Sequence, residues 1–138
     1  MSNKKILIVE DDPDVRRGLH VRLQANNYDT CVAVDAISSV AEARKHKPDL
    51  ILLDLGLPGG DGFMVMERFK TNPYLALIPV IIVSARTGND NQVRAIKAGA
   101  KAFLEKPVDN EELLAVIRQV LGETVEAEKP VVHDLGKL

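Results

Sequence analysis

Acidic residues directly follow two short apolar runs of this chain. Residues 10–12 (Glu-Asp-Asp) follow the run at 6–9, and Asp54 follows the run at 50–53. Alone, each would be an ordinary turn acid. Carboxylates crowded at one place repel one another unless a cation compensates, and Mg²⁺ prefers such oxygen ligands. A strand-end aspartate beside that metal could act as a nucleophile towards a phosphoryl group.

A hydroxyl and an ammonium group follow two later segments that are predicted to be strands. Ser84 follows the apolar run at 80–83, and Lys106 follows the predicted strand at 101–105. The carboxyl ends of parallel strands meet at one edge of a sheet, so we expect these groups to converge on Asp54. Phosphoryl transfer requires positioning and charge stabilisation, which a fixed lysine and a hydroxyl donor can supply.

The elements that must position these groups alternate along the chain. Predicted strands at 6–9, 28–34, 50–53, 80–83 and 101–105 are each followed by a segment with helical periodicity. Five such β-α units predict an α/β fold, a (βα)5 doubly wound parallel sheet with helices on both faces. The run at 28–34 alternates more than the others, which favours a position nearer the sheet edge.

Helix starts and stops are marked by local signals. Aspartates stand where N-caps are expected, at Asp12, Asp35, Asp61 (or Gly62 as the helix start) and Asp109. Pro13 suits a first helical position. Asn26-Asn27, Asn72-Pro73 and Gly99 are predicted to end the first, third and fourth helices.

The composition of the chain argues against several classes of function. The 138 residues hold 18 basic and 20 acidic side chains, a formal net charge of −2, which argues against direct nucleic-acid binding. The single cysteine, Cys31, excludes an internal disulfide framework and suits a reducing compartment. Apolar runs are too short for a membrane span or a signal peptide, so we expect a cytoplasmic protein. Residues 4–121 are predicted to form one domain, and residues 122–138 a tail or the start of a linker.

In this order and spacing, the motifs resemble the receiver domain of two-component response regulators, of the chemotaxis-regulator-like kind. The resemblance covers residues 4–121. It rests on the segments ILIVEDD (6–12), DLILLDLGLPGGDG (49–62), PVIIVSA (79–85), GA (99–100) and FLEKP (103–107).

The resemblance implies a flavodoxin-like strand order 2-1-3-4-5 and phosphorylation of Asp54. The donor would be a sensor histidine kinase or a phosphotransfer protein, and Mg²⁺ (or Mn²⁺) would be required. The implied metal ligands are Asp11, Asp54 and the backbone carbonyl of Gly56, with Glu10 acting through water. Whether Asp12 shares the metal stays open. Such a domain catalyses only its own phosphorylation and dephosphorylation, so it is not an enzyme in the usual sense.

The resemblance also implies a conformational switch. Ser84 would move towards the phosphorylated Asp54, and Phe103 would turn inward, although it lacks the hydroxyl of the tyrosine common there. The Lys106–Pro107 bond is expected to be cis. The face made by helix 4, strand 5 and helix 5 would then control an effector or output domain, or a phosphorylation-dependent homodimer.

Four other functions fit less well. A haloacid-dehalogenase-like phosphohydrolase needs an aspartate where this chain has Gly56. A flavodoxin-like binding module would meet repulsion between its phosphate and residues 10–12. A serine hydrolase using Ser84 lacks a nucleophile elbow. A degenerate receiver is disfavoured because no acid, serine or lysine of the set is missing. Response regulators of the winged-helix transcription-factor subfamily commonly have phenylalanine where this chain has Val108, so membership of that subfamily is less favoured.

Overall fold

The computed structural model describes residues 3–59, 61–85 and 88–123. In these residues five strands alternate with five helices. The strands are β1 Lys5–Val9, β2 Asp29–Ala33, β3 Leu50–Leu53, β4 Val80–Ser84 and β5 Ala102–Glu105. The helices are α1 Pro13–Ala25, α2 Ala36–His46, α3 Gly62–Thr71, α4 Asn89–Lys97 and α5 Asn110–Val120. Each strand agrees with its predicted range to within one residue at either end.

All strand pairs are parallel and form one sheet in the order β2-β1-β3-β4-β5. The predicted fold class and strand order are therefore confirmed. Chain order reverses between β1 and β3, and open α/β sheets bind ligands at the carboxyl ends of strands at such a point. Val9 lies opposite Leu53 in the register, so the residues that follow them are placed side by side.

Helices cover both faces of the sheet. One apolar layer packs between the sheet and α2, α3 and α4, and the other packs between the sheet and α1 and α5. All four residues of β3 are buried, which explains its unbroken apolar run. β2 alternates between exposed and buried positions and lies at a sheet edge, as its sequence predicted.

Aspartate side chains begin four of the five helices. Their carboxylates accept backbone N–H groups of the first turn at 2.7–3.0 Å, and the donor–acceptor pairs are Asp14–Asp12, Ser38–Asp35, Met64–Asp61 and Glu112–Asp109. Such a cap contributes about 1 kcal/mol to stability. α4 differs, because Gly88 occupies its N-cap position at φ 107° without a side-chain hydrogen bond.

None of the described helices has the length and apolar character needed to cross a membrane. Cys31 is buried, and burial raises the pKa of its thiol to about 11. Of the predicted tail, Gly122 and Glu123 are described, and residues 124–138 lie outside the described part of the chain.

Tyr28, just before the edge strand β2, connects that strand to the segment that follows α5. Its side chain is buried in the layer under α1 and α5, and its hydroxyl donates a hydrogen bond to Glu123 Oε1 at 2.8 Å. Burial, followed by the hydrogen bond to and the charge of Glu123, raises the pKa of Tyr28 to about 12. The hydroxyl therefore stays protonated and keeps donating across the ordinary pH range.

We expect Tyr28→Phe to lower the free energy of unfolding by about 1 kcal/mol, because Glu123 loses its donor. Denaturant titration measures this, and Tyr74→Phe, which alters an exposed ring, is the control. An unfolded tyrosine ionises near pH 10, whereas folded Tyr28 holds its proton to about pH 12. Stability should therefore fall more steeply between these pH values in the parent than in Tyr28→Phe. Equal stability and equal pH dependence would contradict this role.

Candidate functional site

The ends of β1, β3 and β5 bring the predicted acidic and basic side chains together. Beyond the ladder, the Asp54 N–H donates to the Val9 carbonyl at 3.1 Å, which places Asp54 beside Glu10. The Lys106 N–H donates to the Ser84 carbonyl at 3.0 Å, which ties the end of β5 to the end of β4. Backbone hydrogen bonding thus sets the relative positions of these four residues before any side chain is considered.

Three carboxylates form a compact cluster at this edge. Glu10, Asp11 and Asp54 each offer one oxygen, and these oxygens lie within 4.8 Å of one another. Glu10 is 3% exposed and Asp54 8% exposed, whereas Asp11 is open to solvent. The cluster therefore combines two sheltered acids with one that borders water.

Lys106 supplies the compensating charge. Its Nζ donates to Glu10 Oε1 at 2.6 Å and to Asp54 Oδ2 at 3.3 Å. Burial alone would lower the pKa of Lys106, but the hydrogen bond to Glu10 and the negative charges of Asp54 and Glu10 outweigh it, so the pKa is raised. Burial raises the pKa of the Glu10 carboxyl, and the hydrogen bonds from Lys106 and the Asp12 N–H oppose that rise. The ammonium is therefore a fixed positive charge between two carboxylates.

The two oxygens of Asp54 have different partners. Oδ1 accepts the Gly56 N–H at 3.2 Å, and Oδ2 faces Lys106. Gly56 lies at the exposed rim of the site, two residues after Asp54. The turn that follows β3 therefore holds the carboxylate in one orientation at the end of the strand.

The donor set fits a hard divalent cation. All the clustered groups are carboxylates, and such oxygen ligands suit Mg²⁺ or Mn²⁺ rather than a softer metal. Asp12 stands apart from this cluster: its Oδ1 accepts the N–H groups of Asp14 at 2.9 Å and Val15 at 3.4 Å. The structure thus gives Asp12 the role of a helix cap.

The structure also places the residues predicted for the conformational switch, Ser84 and Phe103, and the predicted cis-proline, Pro107. Ser84 is fully buried at the end of β4, opposite Glu105 in the register. Phe103 is 1% exposed and packs in the layer under α2, α3 and α4, so its ring lies inward in this structure. The Lys106–Pro107 bond is cis, the isomer that the resemblance implies.

Sequence reasoning missed the contact made by Arg16. The Arg16 Nη1 donates to the carbonyls of Glu10 at 2.9 Å and Asp11 at 3.3 Å. The sequence did contain a signal from which this contact could have been predicted. Side chains on a helix lean towards its N-terminus, so a long residue one turn after the Asp12 cap can reach back to the preceding turn.

Gly62, at the start of α3, also has a closer relation to the site than its sequence suggested. A Cβ there would lie 2.7 Å from Leu55 Cα and 2.8 Å from the Asp54 carbonyl oxygen. The Gly62 N–H donates to the Leu55 carbonyl at 2.9 Å. The first turn of α3 thus rests directly on the backbone of Asp54, where only glycine fits.

The family model and the similar proteins of known sequence indicate the same protein family. Residues 6–118 match the model of the response regulator receiver domain. The chain is 39% identical over 120 residues to the DNA-binding dual master transcriptional regulator RpaA of Synechocystis, covering 87% of this chain and 50% of that protein. It is 33% identical over 138 residues to the phosphate regulon regulator PhoB of Pseudomonas aeruginosa, covering all of this chain and 60% of that protein. The chain therefore spans about half the length of these relatives.

A solved structure shares the fold. The receiver domain of a sensor histidine kinase of Pseudomonas aeruginosa superposes with a TM-score of 0.81 at 25% identity, covering 88% of this chain and 100% of that one. In that protein a magnesium ion is coordinated in the active-site cleft.

We expect Gly62→Ala to lower the free energy of unfolding by about 1–3 kcal/mol, because the added methyl group meets backbone atoms that cannot rotate away. Gly18→Ala is the matched control. A Cβ at Gly18 meets nothing within 4 Å, and alanine within a helix should stabilise by up to about 1 kcal/mol. Thermal or denaturant unfolding measures both. A Gly62→Ala protein as stable as the parent would show that the close approach is not required.

Proposed function

Because the chain belongs to the response regulator receiver family, we propose that it accepts a phosphoryl group on Asp54 in a Mg²⁺-dependent reaction. The donor is a sensor histidine kinase or a phosphotransfer protein. One observation carries the proposal: Glu10, Asp11, Asp54 and Lys106 converge from three strands on a single sheet edge. Solvated surface charges have no reason to converge from segments so distant in sequence.

Asp11, Asp54 and the Gly56 carbonyl would hold the metal ion, with Glu10 acting through water. When bound, Mg²⁺ (or Mn²⁺) would coordinate phosphoryl oxygens and offset their negative charge. The close approach of the three carboxylates supports this assignment, because like charges so close together repel one another unless a cation compensates. Asp12 is left to cap α1, since its Oδ1 already serves that helix.

Asp54 acts as the nucleophile. A carboxylate oxygen forms the new O–P bond while the P–N bond to the donor histidine breaks, and the bonding electrons leave with the imidazole nitrogen. The Lys106 ammonium, already 3.3 Å from Asp54 Oδ2, stabilises the charge on the transferred group, and the Ser84 hydroxyl donates to one of its oxygens. Water later hydrolyses the acyl phosphate and returns the carboxylate.

Phosphorylation then shifts the population of the domain towards an active arrangement. Ser84 moves towards the phosphoryl group, and the Phe103 ring, which is already buried, shifts within the core into the space that Ser84 leaves. The message passes through α4, β5 and α5, where Val93 and Ile96 of α4 already expose apolar surface. Residues 4–121 form the receiver, and residues 122–138 form a tail or a linker. The target is an effector, an output domain or a second phosphorylated copy, in the cytoplasm.

We expect acetyl phosphate with Mg²⁺ to add one phosphoryl group to the parent chain, detected by intact mass. Asp54→Ala and excess chelator should each abolish the product, because one removes the nucleophile and the other the cation. Asp12→Asn is the matched control, since asparagine still caps a helix well; it should be phosphorylated like the parent. Equal labelling of Asp54→Ala would refute the assignment. Steady release of phosphate from unrelated esters would favour a phosphohydrolase.

We expect Lys106→Ala to stay folded but to respond weakly to phosphorylation, because the ammonium no longer links the modified aspartate to β5. Amide chemical shifts of Ser84 and Phe103 before and after phosphorylation measure the response. Lys101→Ala, which removes an exposed lysine just before β5, should respond fully. If Lys106→Ala unfolds in far-UV circular dichroism, the lysine is structural and the signalling role is wrong.

A further inference from the structure

We propose that Arg16 is a positioning residue that sets the metal affinity of the site by fixing the main chain on both sides of Asp11. This inference rests on the proposed function, because it takes the acidic cluster to be the metal site. It assigns a role on α1 to a side chain that touches neither the phosphoryl group nor the metal ion.

Arg16 contacts the main chain on both sides of the Asp11 Cα. Its Nη1 donates to the Glu10 carbonyl at 2.9 Å and to the Asp11 carbonyl at 3.3 Å. These carbonyls belong to the two peptide units that flank the Asp11 Cα. Holding both units restricts the two backbone dihedrals of Asp11 and so fixes the direction in which its Cβ points. Hydrogen bonds from a charged donor are also stronger than neutral ones.

Asp11 needs this support more than its neighbours. The Glu10 and Asp54 carboxylates are held by hydrogen bonds from Lys106, the Asp12 N–H and the Gly56 N–H. Within the described residues, no hydrogen bond reaches the carboxylate of Asp11, which is exposed. Its position is therefore set through the main chain. Arg16 holds that main chain at the Glu10 and Asp11 carbonyls, and the Glu10 carboxylate holds it at the Asp12 N–H.

The charge of Arg16 makes the proposal testable, because charge and positioning predict opposite signs. A guanidinium near a cation site repels the cation, so an arginine acting only through its charge would tighten metal binding when removed. An arginine that holds a ligand in place would weaken binding when removed. Losing such a support beyond the ligands typically costs 10- to 100-fold in affinity.

The experiment measures Mg²⁺ binding without any phosphoryl donor, by calorimetry and by the amide shifts of Asp11 and Asp54. We expect Arg16→Met to weaken binding about tenfold, and Arg16→Lys to fall between it and the parent, since lysine keeps the charge but not the guanidinium geometry. Arg17→Met is the control: it removes the same charge from an exposed neighbour and should stay within about twofold of the parent, because exposed charges are screened.

Labelling by acetyl phosphate gives a second readout. For Arg16→Met the Mg²⁺ concentration at half-maximal rate should rise, while the rate at saturating Mg²⁺ returns to that of the parent. Unchanged or tighter Mg²⁺ binding by Arg16→Met would overturn the proposal, and so would equal weakening by Arg17→Met. If Arg16→Met fails to fold, unchanged Mg²⁺ binding by Arg16→Lys overturns the proposal and weaker binding supports it. A parent that binds no Mg²⁺ would instead refute the proposed function itself.

Discussion

The contact of the Lys106 ammonium with Glu10 and Asp54 is the interaction on which the rest of the site depends. Two sheltered carboxylates side by side repel each other and lose hydration, so the pair needs a compensating cation. A single ammonium, 2.6 Å from Glu10 and 3.3 Å from Asp54, supplies that charge. The sheet makes this contact possible, because β5 delivers Lys106 from beyond β4 to the crevice between β1 and β3.

Backbone hydrogen bonds beyond the strand ends do the finer positioning. The bond from Asp54 N–H to Val9 sets the acids side by side, and the bond from Lys106 N–H to Ser84 fixes the base of the lysine. On the other side, Gly62 lets α3 rest on the Asp54 backbone, and the next residue, Phe63, lies under the Arg94 guanidinium at 3.9 Å. The turn after β3 is thereby joined to both α3 and α4, so a change at Asp54 has a packed route to α4.

The sequence was informative where the cause of the structure is local or periodic. Unbroken apolar runs such as β3 indicate burial on both faces, and an aspartate before a helix can cap it without knowledge of the fold. Convergence of Asp54 and Lys106 followed from parallel strands alone. The contacts of Arg16 and Gly62 could not be predicted in the same way, because they depend on distances between a helix and the turn beside it. α4 shows the same limit at Gly88, where no side chain marks the start of the helix.

A phosphoryl group on Asp54 would change the charge balance of this site more than its shape. It would bring close to two negative charges into a cluster where one ammonium already serves two acids. While the Lys106 ammonium remains 2.6 Å from Glu10, it cannot compensate for the added negative charge. The ammonium would therefore have to move from Glu10 towards the phosphoryl group. The ammonium stands directly after β5, and its own N–H is bonded to Ser84. Any shift of Lys106 towards the phosphoryl group would therefore act on the ends of β4 and β5 first. In this way a charge change at β3 would reach the α4–β5–α5 side of the domain.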